Sequence, residues 1–228
     1  MAKTKESGFH GFYPESFDFL LEIGLRNEKA YFESRREEYE RLIHRPLIAL
    51  EEALAPEVLA IDPRVRTGKR CISRIYRDTR FSRDKSPLRD HMWIAYKQPE
   101  MHLSESFCYY FEISAVGYAY GVGMYAPLPA FMAQMRARGL ANPARLEKIL
   151  TERTLTERFF LQGEDYARPK VEGVNPLLYA FLNKRYLSMI HTSDDIAAAC
   201  RPELLDEFRE AIQILAPVYR FAQGLDEA

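Results

Sequence analysis

The alternation of apolar and polar positions divides the chain into three stretches. In the first, apolar residues recur at the helical interval. The spacing predicts a helix over 14–24, opened by Pro14 and Glu15 and presenting Phe17, Leu20, Leu21 and Leu25. A longer helix is expected from an N-cap at Asn27 to about Ala55, with Tyr31, Phe32, Tyr39, Leu42, Ile43, Leu47, Leu50 and Leu54 on its apolar side. Pro46 predicts a kink or a break in it, because proline removes a ladder hydrogen bond. The charges from Glu33 to Arg41 mix both signs and read as a solvated face.

The period then shortens. Segments near 73–79, 92–97, 107–115 and 118–125 are short and rich in aromatic or β-branched residues, which predicts strands. Gly117, in the link from Ala115 to Tyr118, predicts that the last two form an antiparallel hairpin. After Pro127 the helical period returns. Helices are expected from Leu128 to Gly139, from Asn142-Pro143 to about Thr151, over 176–183 and over 202–221. Helices, then strands, then helices predict an α+β fold. Its central, mainly antiparallel sheet (about 73–125) lies between N-terminal helices (14–55) and C-terminal helices (127–222). A length of 228 residues fits a single domain over 1–228.

Composition changes this picture in two places. Fourteen Tyr and fourteen Phe promise a core and clefts lined with rings. Charge is more uneven than the net −1 implies: the segment from Arg64 to Arg89 holds ten Lys or Arg against Asp78 and Asp84, a local +8. Such a concentration marks either an anionic partner or a structural ion-pair network. No stretch has the roughly 18 consecutive apolar residues of a membrane helix, so no membrane association is expected. Residues 1–8 are polar, and Cys71, Cys108 and Cys200 are odd in number and widely spaced; both point to a reduced, cytoplasmic protein.

Several motifs together resemble a known family. They are G-F-Y-P-E-S-F-D-F-L (Gly11 to Leu20), N-E-K-A-Y-F (Asn27 to Phe32), Y-R-D-T-R-F-S-R-D-K-S-P (Tyr76 to Pro87) and G-M-Y-A-P (Gly123 to Pro127). In this order they resemble the bacterial family named domain of unknown function 2461, over nearly the whole chain. That family's pattern often continues after the proline with an aromatic residue and a lysine, where this chain has Leu88 and Arg89. The resemblance implies a cytosolic protein and carries no activity with it.

Chemistry therefore has to be read from the residues. If 72–81 is extended, Arg74, Tyr76, Asp78 and Arg80 share one face, and Asp78 can hold a guanidinium in a fixed fork. Arg77 and Arg80 are then candidate clamps for a phosphate or carboxylate, with Ser82 as a donor and Lys85 as a mobile charge. Asp78 is their orienter or a general base, and Lys85 a candidate electrostatic stabiliser. The competing reading is that Asp78 and Asp84 merely pair with these cations to pin a loop. In the hairpin, Tyr110, Glu112 and Ser114 share a face, opposite Gly121 and Gly123, whose missing side chains leave a hollow. Tyr110 is a candidate ligand contact and Glu112 a candidate general base.

The five histidines occur singly, so no metal site is expected. Neither a dinucleotide fingerprint nor a nucleophile elbow is present, and the cofactor stays open. Cys71, beside Arg70 and Arg74, would have a lowered thiol pKa if exposed. The reading is a binder of a small anionic ligand, with enzymatic activity undecided. The alternatives are a nucleic-acid-binding module, for which Tyr76, Phe81, Trp93 and Tyr96 could stack bases, and a non-catalytic interaction domain.

Overall fold

The computed structural model describes residues 8–80 and 82–225. Helix α1 (Pro14–Leu25) opens at its proline and buries Phe17, Phe19, Leu20 and Ile23, whereas Leu21 and Leu25, expected on its apolar side, are exposed. Asn27 does not cap the next helix. Its side-chain amide donates to the Leu88 carbonyl (3.1 Å) and accepts from the Leu88 N–H (2.8 Å), as a neighbouring strand would. Helix α2 (Lys29–Ser34) begins after Glu28 without a side-chain cap. The long helix expected to Ala55 comes in pieces: α2, α3 (Arg36–Tyr39), a π turn over Glu40–His44, and α4 (Arg45–Ile61). The widened turn ends just before Pro46, whose missing N–H interrupts the ladder of a chain that is helical on both sides.

Five strands form one sheet in the order β1-β2-β3-β5-β4, and every neighbouring pair is antiparallel. They are β1 (His91–Tyr96), β2 (Cys108–Ser114), β3 (Gly117–Gly123), β4 (Phe160–Gln162) and β5 (Ser188–Ser193). The β2–β3 hairpin turns at Ala115-Val116, with Gly117 at φ +137°. Two expectations need correction. The sheet reaches beyond residue 125, because β4 and β5 add to it. β4 has three residues and β5 mixes hydroxyls with apolar positions, so neither shows a clear period. The segment 73–79 forms no strand. It turns back on itself, with Arg77 N–H donating to Pro87 (2.9 Å) and Arg89 N–H to Ile75 (2.8 Å), and meets the sheet at its start, through the Ile72–Ile94 bridge and the Ser73–Trp93 bonds. Phe81 lies outside the described residues.

The remaining helices are α5 (Pro129–Ala141), α6 (Pro143–Leu150), α7 (Arg153–Arg158), α8 (Pro176–Leu182), α9 (Ile196–Ala199) and α10 (Leu204–Gln223). Asn142 and Asn175 cap α6 and α8 by accepting from the N–H of Arg145 and Leu178. Helices α4 and α10 cover one face of the sheet. Tyr109 stacks on Tyr219 (4.8 Å between centroids), while Phe111 and Tyr120 meet Phe208 edge-on at 4.7 and 4.4 Å. The phenols under these helices keep partners, as buried hydroxyls must. Tyr96 donates to the Glu51 carbonyl and Tyr109 to that of Ile212. Tyr219 donates to the buried Asp62 carboxylate (2.7 Å), which also holds Arg64 by two bonds.

Candidate functional site

The other face of the sheet floors a cavity of about 600 Å³. Along β2, Tyr109, Phe111 and Ile113 enter the core, so Tyr110 and Glu112 turn to the cavity. Across its floor, Trp93, Glu112, Ala119 and Thr192 fall in register, and so do Ala95, Tyr110, Gly121 and Ile190. The glycines are required by the close approach of β5. A Cβ on Gly121 would lie 2.2 Å from the Met189 carbonyl oxygen, and one on Gly123 2.1 Å from Ser188 Oγ.

Glu112 is half-buried and has no hydrogen bond or ion pair among the described residues. Burial pushes its carboxyl above the ordinary value; His91 opposes that shift and Asp90 adds to it. The Tyr110 phenol is likewise raised by burial, with Ser188 pulling the other way. His91 is committed at Nδ1 to Asp90 (2.7 Å), and its ring stacks on Trp93 at 5.5 Å. The Arg89 guanidinium sits 4.4 Å from the centre of the Trp93 ring.

Arg89, Trp93, Ala95 and Leu103 also line a second cavity, of about 480 Å³, so the two adjoin along these side chains. Six cations border this groove: Arg66, Lys69, Arg70, Arg74, Arg89 and Lys97. None of its described lining residues is a carboxylate. Arg66, Lys69, Arg70 and Arg74 have no ion pair among the described residues. Burial first, then the charges of Arg77 and Arg74, disfavour the charged form of Arg89.

The backbone under the groove is tied down. Gly68, at φ +86°, donates its N–H to the buried Glu51 carboxylate (2.7 Å). Burial raises that carboxyl, and the Gly68 bond offsets part of the rise. Arg66 N–H donates to Lys97 O (2.9 Å) and Ser73 N–H to Trp93 O (2.8 Å), while Trp93 N–H returns to Ser73 Oγ (3.0 Å). Cys71 donates its S–H to Arg66 O. It is buried, and burial pushes its thiol up to about 12, so it is no activated nucleophile.

A family model described as conserved hypothetical protein (DUF2461) matches residues 15–221. The chain belongs to the DUF2461 family. No curated protein matches it.

In this DUF2461 chain the second and third motif stretches meet in space. Asn27 clamps Leu88, Phe32 packs edge-on to Tyr76 (5.6 Å), and the Tyr76 hydroxyl donates to Glu33, which also holds Arg36. Beyond β3, Met124 N–H donates to Leu187 O and Ala126 N–H to Ser104 O, which sets Tyr125 at the mouth of the sheet cavity.

Of the residues singled out from sequence, Tyr110 and Glu112 line the sheet cavity. Arg77, Asp78, Arg80, Ser82 and Lys85 line neither cavity. Asp78 accepts two bonds from Arg80 (2.9 and 2.6 Å), which bring its carboxyl down to about 2. Asp84 takes Ser86 and Arg77, and Lys85 donates to Thr79 O (2.8 Å). Ser82 N–H turns back to Thr79 O (3.3 Å). The groove cations Arg66, Lys69 and Arg89 were not among the ligand contacts expected from sequence. A sharper signal was present: no acid occurs between Asp62 and Asp78. Ser188, Ile190 and Thr192 had no local signal at all.

Proposed function

We propose that the protein binds a small anionic ligand whose charged group sits in the basic groove and whose body lies on the sheet face. The reading rests on one observation: six cations and no described carboxylate border a groove that shares Arg89 and Trp93 with the adjoining sheet cavity. Like charges held together by a fixed backbone repel one another, and an anion relieves that repulsion. Guanidinium groups suit phosphate and carboxylate because they donate in pairs. Tyr110 and Glu112 contact the ligand's body on this reading, and Glu112 is the group positioned to accept a proton if the ligand is also transformed. Arg77, Arg80, Ser82 and Lys85 serve the loop behind the groove, with Asp78 as their structural partner.

The test is calorimetric titration with pyrophosphate and with phosphate monoesters. Binding by the wild type, and its loss in an Arg70→Ala/Arg74→Ala protein that melts normally, supports the reading. No heat with any phosphate would refute it. One feature favours a second reading, single-stranded nucleic acid: the neighbouring Arg89, Trp93 and His91 offer a stacking surface beside the cations. Oligonucleotide binding that falls steeply with salt, without monophosphate binding, would favour it.

A further inference from the structure

The two adjoining cavities are electrically lopsided. One end carries Arg66, Lys69, Arg70 and Arg74; the other has Glu112, half-buried and without a partner. Trp93 lies between them, lining both cavities and paired in register with Glu112. None of the groups on its own strand and its neighbours hydrogen-bonds Glu112 among the described residues, although the charge of His91 acts on it. His91 gives Nδ1 to Asp90, Arg89 donates from Nε to the Arg74 carbonyl, and Tyr110 lies beside Ser188. The partly buried Glu112 carboxylate has acceptor sites open to the cavity. A second anionic group there would repel it, whereas an N–H donor or an ammonium would pair with it.

We infer, resting on the anion-binding reading above, that the ligand is bipolar: a phosphate or carboxylate at the Arg66–Arg74 end, and a hydrogen-bond-donating nitrogen at the Glu112 end. A flat or ring-shaped middle packs against Trp93. Two sources share this chemistry: a nucleotide, whose base presents amino and ring N–H groups, and an amino-bearing phosphate ester, whose ammonium does the same.

Matched pairs separate the possibilities. Cytidine and adenosine monophosphates are compared with ribose 5-phosphate, and glucosamine 6-phosphate with glucose 6-phosphate, by calorimetry on the wild-type chain and on Glu112→Gln. Pyrophosphate serves as the control for the groove alone. The expected result is a preference of about tenfold or more for the nitrogen-bearing member of at least one pair, the size of one charge-assisted hydrogen bond. Which pair shows it tells a nucleotide from an amino ester. Glu112→Gln should reduce that preference to within about threefold while leaving pyrophosphate affinity unchanged. Equal binding within both pairs, or a preference that survives Glu112→Gln, overturns the inference while leaving the groove intact. If pyrophosphate and all the esters fail to bind, the groove itself is refuted and the bipolar ligand with it.

Discussion

Two basic regions lie close together in the sequence and have opposite fates. Residues 77–86 carry Arg77, Arg80, Arg83 and Lys85, and two aspartates among them bind Arg77 and Arg80 within the loop. Residues 66–74 carry Arg66, Lys69, Arg70 and Arg74 and contain no acid, so their charges project into a groove uncompensated. The first region looks the more specific in sequence, because arginine, aspartate and serine recur in it like a recognition motif. Yet its pattern is what closes it on itself. A carboxylate two residues from an arginine reaches that arginine more readily than a ligand does. Density of charge is therefore a poor guide to a site, and distance from the nearest acid a better one.

Four measurements can break or sharpen this contrast. The largest effect should come from Arg70→Glu/Arg74→Glu, which reverses charge in the open region. We expect pyrophosphate affinity to fall by about 100-fold or more, because two attracting charges beside the anion become two repelling ones. Unchanged affinity would remove the distinction between the regions. Next comes Asn27→Ala, which strips both bonds from Leu88, the hinge between the closed loop and β1. A loss of about 2 kcal/mol in chemical denaturation is expected, from two hydrogen bonds to part-buried backbone groups. We propose that wild type and variant alike melt in one transition, as a single domain does.

Glu112→Gln should have the opposite sign. Burial raises this carboxyl in the folded chain, so the folded state holds the proton more tightly than the unfolded one. Stability from this group is then present at low pH and lost as pH rises through the raised value. The variant should gain about 1 kcal/mol near pH 7.5, the cost of an unpartnered group in a cleft. The gain should shrink as pH falls and be gone below the ordinary carboxylate value of about 4.3. Thermal melts across that range check it; a variant less stable at pH 7.5 would mean Glu112 has a structural partner. The smallest effect is expected from Arg80→Ala, since both members of its pair are exposed. Melting temperature and pyrophosphate affinity should both match wild type. A lost affinity would return the closed loop to the site.

What could be read from sequence follows from how far each residue's partner lies. Pro14, Pro129 and Pro143 sit at the first turns of helices, and Gly117 marks the hairpin, because those preferences are settled within a few residues. The placing of Tyr110 and Glu112 on one strand face was equally local, being a matter of alternation. β5 was not legible, since S-M-I-H-T-S becomes a strand only by pairing with β3, far back in the chain. With it went Ser188, Ile190 and Thr192 in the cavity floor. Asn27 misled for the same reason. A good N-cap residue by type, it finds better use against Leu88, a partner no local rule names.

The manner in which the groove is anchored bears on how this family could diversify. Its course is fixed by main-chain atoms of residues 66, 68 and 73, answered by Lys97, Glu51 and Trp93. The side chains of Lys69, Arg70 and Arg74 take no part in that anchoring. Their identities can therefore drift, or be engineered, without refolding the loop that carries them. Ligand preference becomes a property that can be rewritten on a standing frame, with Glu51 and Gly68 as the positions least free to change.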